Sequence, residues 1–264
     1  MSLEDKSPEF WNVVDRKAEV KKVAGGFQFT EGPVFSRRGY MFFSDIPAEK
    51  ILKFEKGEVT TYREKSNKAN GNTFDHQGRL LTCEGGGRVT RTEKNGSITV
   101  LAEKGLKGPN DLVYCIDGSI YFTDLPGSKV YRISRKGDLQ VVSEDFAGPN
   151  GITLGPNQQK IYIADSKKRN VRVYDIKPDG LLTNGRHFAD TRCDGLKTDE
   201  AGNVWVTGEG GIWVFDSAGK HLGIIRTPEN PANNCWGSGF GGMYITARTS
   251  VYHVPTKVPG TRTF

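Results

Sequence analysis

Short runs of alternating apolar and polar residues recur along the whole chain, and Gly, Asn, Asp or Pro bounds each of them. The runs "YMFFSD", "SIYFTD" and "KIYIAD" are examples. Short alternating runs between turn residues are typical of β-strands. No stretch has the apolar spacing of a confident amphipathic helix. The pattern therefore predicts an all-β chain built from many short strands.

One phrase returns along the chain at a nearly constant interval. "GPNDLVYCIDGSIYFTD" at residues 108–124 is followed by "GPNGITLGPNQQKIYIAD" at residues 148–165. The Asn of this phrase has a polar counterpart ten or eleven residues before a strand in each of six units. We call these six positions the marker residues: Glu31, Asn70, Asn110, Asn150, Asp194 and Asn233. Their separations of 39, 40, 40, 44 and 39 residues match the length of a propeller blade.

Each unit contains a strand, a tight turn and further strands, up to four in all. Four antiparallel strands per unit predict one blade of a six-bladed β-propeller. The sixth unit has no clear fourth strand of its own, and the N-terminal "AEVKKV" at residues 18–23 can supply it. We expect this strand to close the last blade and to cover an exposed sheet edge. The chain is then a single domain over residues 1–264, with residues 1–18 and 256–264 peripheral.

The marker residue opens the innermost strand of each blade, so closure of the ring brings all six to one end of the central channel. Asn also forms turns, which is the alternative for Asn70 and Asn233. Two carboxylates, Glu31 and Asp194, are unfavourable in a narrow channel without a cation. Carboxylate and amide oxygens suit a hard divalent ion, whereas softer metals prefer Cys or His. The sequence therefore predicts a divalent metal site.

A second set of acids ends the second strand of the first four blades: Asp45, Glu84, Asp124 and Asp165. The second strand runs antiparallel to the first, so its end returns to the face of the marker residues. Two roles are open for this set. The acids stabilise their own turns, or Glu84 and Asp124 contact a substrate.

Composition excludes several classes of protein. The net charge is +6, but Lys and Arg are scattered over separate turns, so we expect no nucleic-acid partner. The four cysteines have no paired spacing and are predicted to be free thiols. The N-terminus lacks the apolar core of a signal peptide, and no run is long enough to span a membrane. We expect a soluble cytoplasmic protein without a membrane partner, either a monomer or a weak homodimer.

The phrases around the marker residues carry a family resemblance. With Glu31 in "TEGPVFS", Asn110 in "GPNDL", Asn150 in "GPNGI" and Asp194 in "CDGL", the chain resembles the senescence marker protein (regucalcin), gluconolactonase and luciferin-regenerating enzyme family. The likeness runs from about residue 20 to 255, and further phrases are similar to its bacterial gluconolactonase-like branch. The resemblance implies one divalent ion at the channel mouth, bound by Glu31, Asn150 and Asp194.

The resemblance also implies an activity, the hydrolysis of a small-molecule lactone of a sugar acid. Asp194 is then the general base as well as a metal ligand, and Asn110, together with Asn70, orients the ester. The metal polarises the carbonyl, and no organic cofactor is needed. Calcium is the first candidate for the ion, with Zn, Mn, Mg or Fe as alternatives.

The chain also departs from the family pattern. "TCEGGGRVTR" lacks the His and paired Arg that many relatives carry after this Glu, Gly108 replaces an Arg of the animal member, and the connection "LPGSK" is short. These differences predict an open, less polar mouth. Two other functions remain: an organophosphate or aryl-ester hydrolase on the same metal, and a noncatalytic metal-binding propeller.

Overall fold

The structure is a computed structural model that describes residues 3–239 and 241–261. Within these ranges it is a ring of six antiparallel sheets, five with four strands and one with five, so the predicted six-bladed propeller is confirmed. Three elements precede the first blade: β1 (Leu3–Asp5), the helical turn α1 (Phe10–Val13) and β2 (Lys21–Gly25). No helix of the described ranges is long and apolar enough to cross a membrane.

The strands follow the predicted units closely. Blade 1 contains β3 (Thr30–Phe35), β4 (Met41–Asp45), β5 (Lys50–Glu55) and β6 (Glu58–Arg63), and blade 2 contains β7 (Ala69–Phe74), β8 (Leu80–Glu84), β9 (Arg88–Thr92) and β10 (Ile98–Ala102). Blade 3 contains β11 (Pro109–Tyr114), β12 (Ile120–Asp124), β13 (Lys129–Ile133) and β14 (Leu139–Ser143). Blade 4 contains β15 (Pro149–Leu154), β16 (Lys160–Asp165), β17 (Asn170–Ile176) and β18 (Leu182–Asp190). Blade 5 contains β19 (Leu196–Thr198), β20 (Val204–Gly208), β21 (Gly211–Phe215) and β22 (His221–Arg226). Blade 6 contains β23 (Asn233–Trp236), β24 (Met243–Ala247) and β25 (Ser250–Val254).

The N-terminal strand closes the ring. β2 pairs antiparallel with β25, with Lys21 opposite His253 and Gly25 opposite Ser250, and it is the outermost strand of blade 6. Both ends of the chain thus contribute to one sheet, as predicted. Closure removes an exposed edge of that sheet.

The two terminal segments pack against blades 5 and 6. β1 pairs with β22 and adds a fifth strand to blade 5. The side chain of Phe10 in α1 is 0% exposed and belongs to the apolar cluster of blades 5 and 6. At the other end, Gly260 forms an isolated β-bridge with Asp199. The segments predicted to be peripheral therefore bury part of the propeller surface.

The hydrophobic core is divided among the blades. Among the described residues it forms six clusters, and each fills the space between two neighbouring blades. Blades 3 and 4, for example, bury Tyr121, Val130, Ile152 and Ile161 together. Burial of such side chains stabilises the fold by about 1.5–3 kcal/mol each.

The innermost strands β3, β7, β11, β15, β19 and β23 pack side by side around the channel. Hydroxyls of the second strands join blades 1, 3 and 5 to the next blade: Ser44 Oγ donates to the Asn70 carbonyl at 2.7 Å, Thr123 Oγ1 donates to the Asn150 carbonyl at 2.6 Å, and Thr207 Oγ1 donates to the Ala232 carbonyl at 2.8 Å. β3, β7, β11 and β15 each contain a β-bulge beside the marker residue. A bulge redirects side chains, here at the channel mouth.

Candidate functional site

Contacts between neighbouring blades place the marker residues in one ring. Asn233 Nδ2 donates to Glu31 Oε2 at 3.0 Å, which joins blade 6 to blade 1. The Asn150 side chain is hydrogen-bonded to Asp194, which joins blade 4 to blade 5. Glu31 and Asp194 are close enough for the charge of one to act on the other. The ring geometry expected from the repeat thus brings together residues that are far apart in sequence.

The two marker carboxylates lie in an environment that opposes their ionisation. Glu31 is 4% exposed, and its Oε2 accepts hydrogen bonds from Gly32 N at 2.6 Å and from Asn233. Burial, followed by the charges of Asp194 and Asp111, raises the pKa of Glu31 well above its usual value. Burial and the charge of Asp111 raise the pKa of Asp194 to about 7, although the hydrogen bond with Asn150 acts to lower it.

Asp111 is a third channel carboxylate, and the sequence reasoning did not identify it. It follows the marker residue Asn110 in the bulge of β11, and it is 2% exposed. Its Oδ2 accepts a hydrogen bond from Asn233 Nδ2 at 3.2 Å. The same amide therefore bridges Asp111 to Glu31 across the channel. The sequence did single out Asp111, because blades 1, 2, 4 and 5 have Gly at the position that follows the marker residue.

Lys197 is the cation of this region, and it too was missed. Its Nζ lies 3.9 Å from Asp111 Oδ2 and donates to the Leu196 carbonyl at 3.0 Å. The side chain is 22% exposed. An ammonium at this distance partly offsets the charge of a buried carboxylate. Lys197 therefore offsets the negative charge of Asp111 more directly than the charges of Glu31 and Asp194.

Asn70 and Asn110 are half-buried on the innermost strands of blades 2 and 3. The backbone of Asn70 is fixed by Ser44 and by Asn72 Nδ2, both of which donate to its carbonyl. Gly71 allows the close approach of blade 3, because a Cβ there would lie 2.7 Å from the Asn110 carbonyl oxygen. The two side chains predicted to bind a substrate thus start from well-fixed backbone positions at the mouth.

The second set of acids stabilises turns. Asp124 Oδ2 accepts a hydrogen bond from Lys107 N at 2.7 Å, and its Oδ1 accepts from Gly108 N and Gly127 N at 3.0 Å. Asp45 and Asp165 accept from the corresponding backbone amides of their own blades. These are the contacts that the turn-stabilising alternative requires.

Glu84 has a different set of partners. It is 0% exposed and accepts hydrogen bonds from Arg63 at 2.6 Å, Asn67 at 3.0 Å, Thr90 at 2.7 Å and Arg88. Its carboxylate is therefore fully occupied by side chains of blades 1 and 2 and of the loop that joins them. Substrate contact by Glu84 and Asp124 stays a prediction, and the observed bonds favour a structural role for both.

The donor set at the mouth suits a hard cation. Among residues 3–239 and 241–261, no cluster of three or more His, Cys, Asp or Glu side chains is arranged to hold a metal. The predicted set, however, is two carboxylates and one amide: Glu31, Asp194 and Asn150. Neither carboxylate makes an ion pair within 4.0 Å in the described ranges. Their mutual repulsion is the cost that a bound divalent ion would remove.

Comparison with known proteins shows that this chain is similar to the members of one family. The model of the SMP-30/gluconolactonase/LRE-like region matches residues 29–249. The gluconolactonase of Zymomonas mobilis is 28% identical, over 96% of this chain and 86% of its own length. The structure of XC5397 from Xanthomonas campestris, a gluconolactonase, is 27% identical with a TM-score of 0.90, covering 97% of this chain and 95% of that one. The calcium-binding protein regucalcin of Agrobacterium tumefaciens shares the fold, with a TM-score of 0.78 at 17% identity over 92% and 97% of the two chains.

Proposed function

This chain belongs to the SMP-30/gluconolactonase/LRE-like family, and from that premise we propose that it is a lactonase that opens the ester ring of a sugar-acid lactone. The family resemblance predicted from the marker residues is confirmed by the match. The observation that carries the proposal is the meeting of Glu31, Asn150 and Asp194 at one end of the channel. These are the residues that the resemblance assigned to the metal and to proton transfer.

Asp194 is the proposed general base. Burial beside Asp111 raises the pKa of Asp194 to about 7 in the absence of a cation, and a divalent ion at the site would favour the ionised form that can accept a proton. Asp194 accepts a proton from the attacking water as the water oxygen bonds to the lactone carbonyl carbon. The bond between that carbon and the ring oxygen then breaks. The ring oxygen takes up a proton, and the product is the open hydroxy acid.

The other marker residues position the reacting groups. Asn150 holds the Asp194 carboxylate through its hydrogen bond, and Asn233 holds Glu31 from the opposite side. Asn110 and Asn70 present amide groups that orient the ester by hydrogen bonds. Pre-formed positions of this kind lower the barrier because little reorganisation is needed during the reaction.

A divalent cation, calcium in the first instance, is the proposed cofactor. Glu31, Asn150 and Asp194 would hold it with hard oxygen ligands. When bound, it supplies polarisation of the lactone carbonyl and stabilises charge on that oxygen. The name of the Agrobacterium relative, a calcium-binding protein, supports this choice.

The loops around the mouth shape the substrate choice. Gly86 lies against Asn67, so that an added Cβ would collide with its amide, and Arg88 is turned toward Glu84. At Gly108 a Cβ would lie 2.9 Å from Pro126 in the short connection after Asp124. The family resemblance implies longer side chains at these positions in other members, and their replacement by Gly suits an uncharged lactone.

The test is acid release from D-glucono-1,5-lactone and a panel of aldonolactones, followed with a pH indicator in weak buffer. We expect turnover by the wild type and a loss of at least about 100-fold in kcat for Asp194→Asn, because general acid–base catalysis contributes about 10²–10⁴-fold. Asp179→Asn, in an exposed turn of blade 4, is the matched control and should remain active.

Two results would contradict the proposal. Hydrolysis of phenyl acetate or a phosphotriester in preference to every lactone would assign the site to another esterase. Metal binding without turnover of any of these compounds would make the protein a binding propeller.

A further inference from the structure

A cavity of about 350 Å³ occupies the channel near the face opposite the marker residues. The residues that line it come from the later part of the innermost strands, such as Phe35, Val113 and Trp236. Glu31, Asn150 and Asp194 are not among them. Glu31, Asn233 and Asp111, which are joined by hydrogen bonds, are also absent from the lining. We call this space the lower cavity.

The charged groups of the lower cavity are cationic. Lys197 and Arg37 line it, and its described lining contains no Asp or Glu. Arg37 is exposed at the rim, whereas Lys197 is partly buried. A partly buried cavity with basic groups and no acidic lining favours a negatively charged ligand.

The Lys197 ammonium has hydrogen-bonding capacity left for such a ligand. An ammonium has three N–H donors. Within the part of the chain that the structure describes, its hydrogen bond is to the Leu196 carbonyl at 3.0 Å. Asp111 Oδ2, at 3.9 Å, attracts the charge but lies beyond hydrogen-bond distance. A carboxylate entering from the lower cavity would complete the coordination of this ammonium.

The walls combine polar and apolar groups from different blades. Thr73 and Thr153 belong to blades 2 and 4 and present hydroxyls, and Leu112 and Trp236 present apolar surface. Sites for small molecules are typically concave and mainly apolar, with a few placed polar groups, and have volumes of about 300–1,000 Å³. The volume of the lower cavity is at the small end of this range, and its lining is more polar than that of a typical site.

We propose that the lower cavity is a second ligand site, which binds a small organic acid with its carboxylate at Lys197. The lower cavity lies next to the proposed lactonase centre, with Lys197 and Asp111 between the two, and the proposal does not depend on that centre being catalytic. Trp236, whose Nε1 donates to the Thr198 carbonyl at 2.7 Å, forms part of the wall. Its fluorescence therefore reports on occupancy.

The experiment titrates the full-length protein with sodium gluconate, sodium hexanoate and uncharged D-glucitol. Calorimetry and tryptophan emission are recorded for each compound. We expect at least one of the acids to bind and to change the emission of Trp236, and D-glucitol to bind at least about tenfold more weakly, since a hydrogen bond to a charged group is worth about 1.5–3 kcal/mol. The emission change should disappear in Trp236→Phe.

Variants assign the binding to one end of the channel. Lys197→Met should weaken acid binding by at least about tenfold, whereas Lys136→Met, in an exposed turn of blade 3, should leave it unchanged. Asp194→Ala disrupts the upper site and should not affect binding. Because loss of Lys197 leaves Asp111 uncompensated, thermal melting must show that the variant is folded. Thr153→Leu, which fills the cavity without changing its charge, should also abolish binding.

Three results would overturn the proposal. The first is the absence of acid binding in the wild type. The second is binding of D-glucitol as tight as that of the acids. The third is acid binding that survives both Lys197→Met and Thr153→Leu but is lost in Asp194→Ala, because the acid would then occupy the upper site.

Discussion

The replacement of Glu84 by Gln tests whether this buried carboxylate supports the fold or contacts a substrate. Glu84 is 0% exposed, and Arg63, with 11% of its side chain exposed, donates to it at 2.6 Å. Gln keeps the size of the side chain but removes its charge. The variant therefore leaves Arg63 of blade 1 and Arg88 of blade 2 without their shared counterion.

The expected loss of stability is large because Arg63, a partner of the Glu84 carboxylate, is almost fully buried. Removing one member of a buried ion pair costs about 3–5 kcal/mol. Arg88 is 33% exposed and can be solvated in the variant, so we take the lower end, about 3 kcal/mol. For a chain of this size, such a loss corresponds to a decrease in Tm of roughly 6–12 °C.

The effect has a defined pH dependence. Burial acts to raise the pKa of Glu84, but hydrogen bonds from Arg88, Thr90, Arg63 and Asn67 outweigh it, and the pKa lies below 4.5. A carboxylate with a lowered pKa in the folded state stabilises the protein at pH values above its unfolded pKa. This contribution disappears as the pH falls below about 4.5 and through the folded value. The difference between wild type and Glu84→Gln should therefore be full at pH 7 and shrink in acid.

Urea unfolding at pH 7 and at pH 4 measures these differences, and lactone turnover is measured on the same samples. Glu93→Gln is the matched control: Glu93 also bonds Arg79, Arg91 and Thr99 in blade 2, but it is 23% exposed. Its substitution should cost much less. Unchanged stability with a raised KM for Glu84→Gln would refute the structural role and favour substrate contact.

Three further outcomes follow from the structure. Gly151→Ala places a Cβ against the Asp194 carbonyl at well under 3.0 Å, so it should destabilise the protein by about 1–3 kcal/mol and reduce turnover. The control is Gly155→Ala, where the atom nearest to the new Cβ is 3.6 Å away, and it should leave turnover unchanged. Urea unfolding and the lactone assay measure both variants. Phe10→Ala removes a fully buried ring and should lower the free energy of unfolding by about 3–5 kcal/mol without changing KM. An increase in KM together with the loss of stability would show that the N-terminal segment reaches the site. Dialysis against EDTA should abolish lactone turnover, and added calcium should restore it. Calorimetry should show one calcium-binding site in the wild type and none in Glu31→Gln. Full activity after verified metal removal would contradict the proposed cofactor.

The ring and its closing strand could be predicted because the repeat has an almost constant length. A fixed spacing between marker residue and strand requires the same position in every blade, and closure places those positions at one end. The pairing of β2 with β25 followed from a missing strand in the sixth unit. These inferences needed only the periodicity of the chain and the rule that sheet edges are covered.

Asp111 and Lys197 could not be assigned in this way. The repeat gives the position of a residue along a strand, but the bulge in β11 determines where Asp111 points. Lys197 is the central residue of the short strand β19, and nothing in the spacing relates it to blade 3. The contact between them depends on side chains that cross the channel. Such contacts follow from three-dimensional packing rather than from the period.

The N-terminal segment was missed for a different reason. β1 has three residues and α1 has four, too few for either to show a period. Their positions depend on a tertiary surface that β22 and the cluster around Ile225 provide. Local sequence carries little information about elements that are stable only against such a surface.

The glycines beside the marker residues explain how a symmetric ring builds an asymmetric centre. A Cβ on Gly71 would lie 2.5 Å from Asp111 Oδ1, and a Cβ on Gly195 would collide with the Asn233 amide. Blades 2 and 5 therefore leave the space that the side chains of blades 3 and 6 occupy. Those two side chains meet across the channel, where Asn233 Nδ2 lies 3.2 Å from Asp111 Oδ2. The charge next to Glu31 is thus determined by positions at which the blades differ, such as Asp111, rather than by positions at which they are alike.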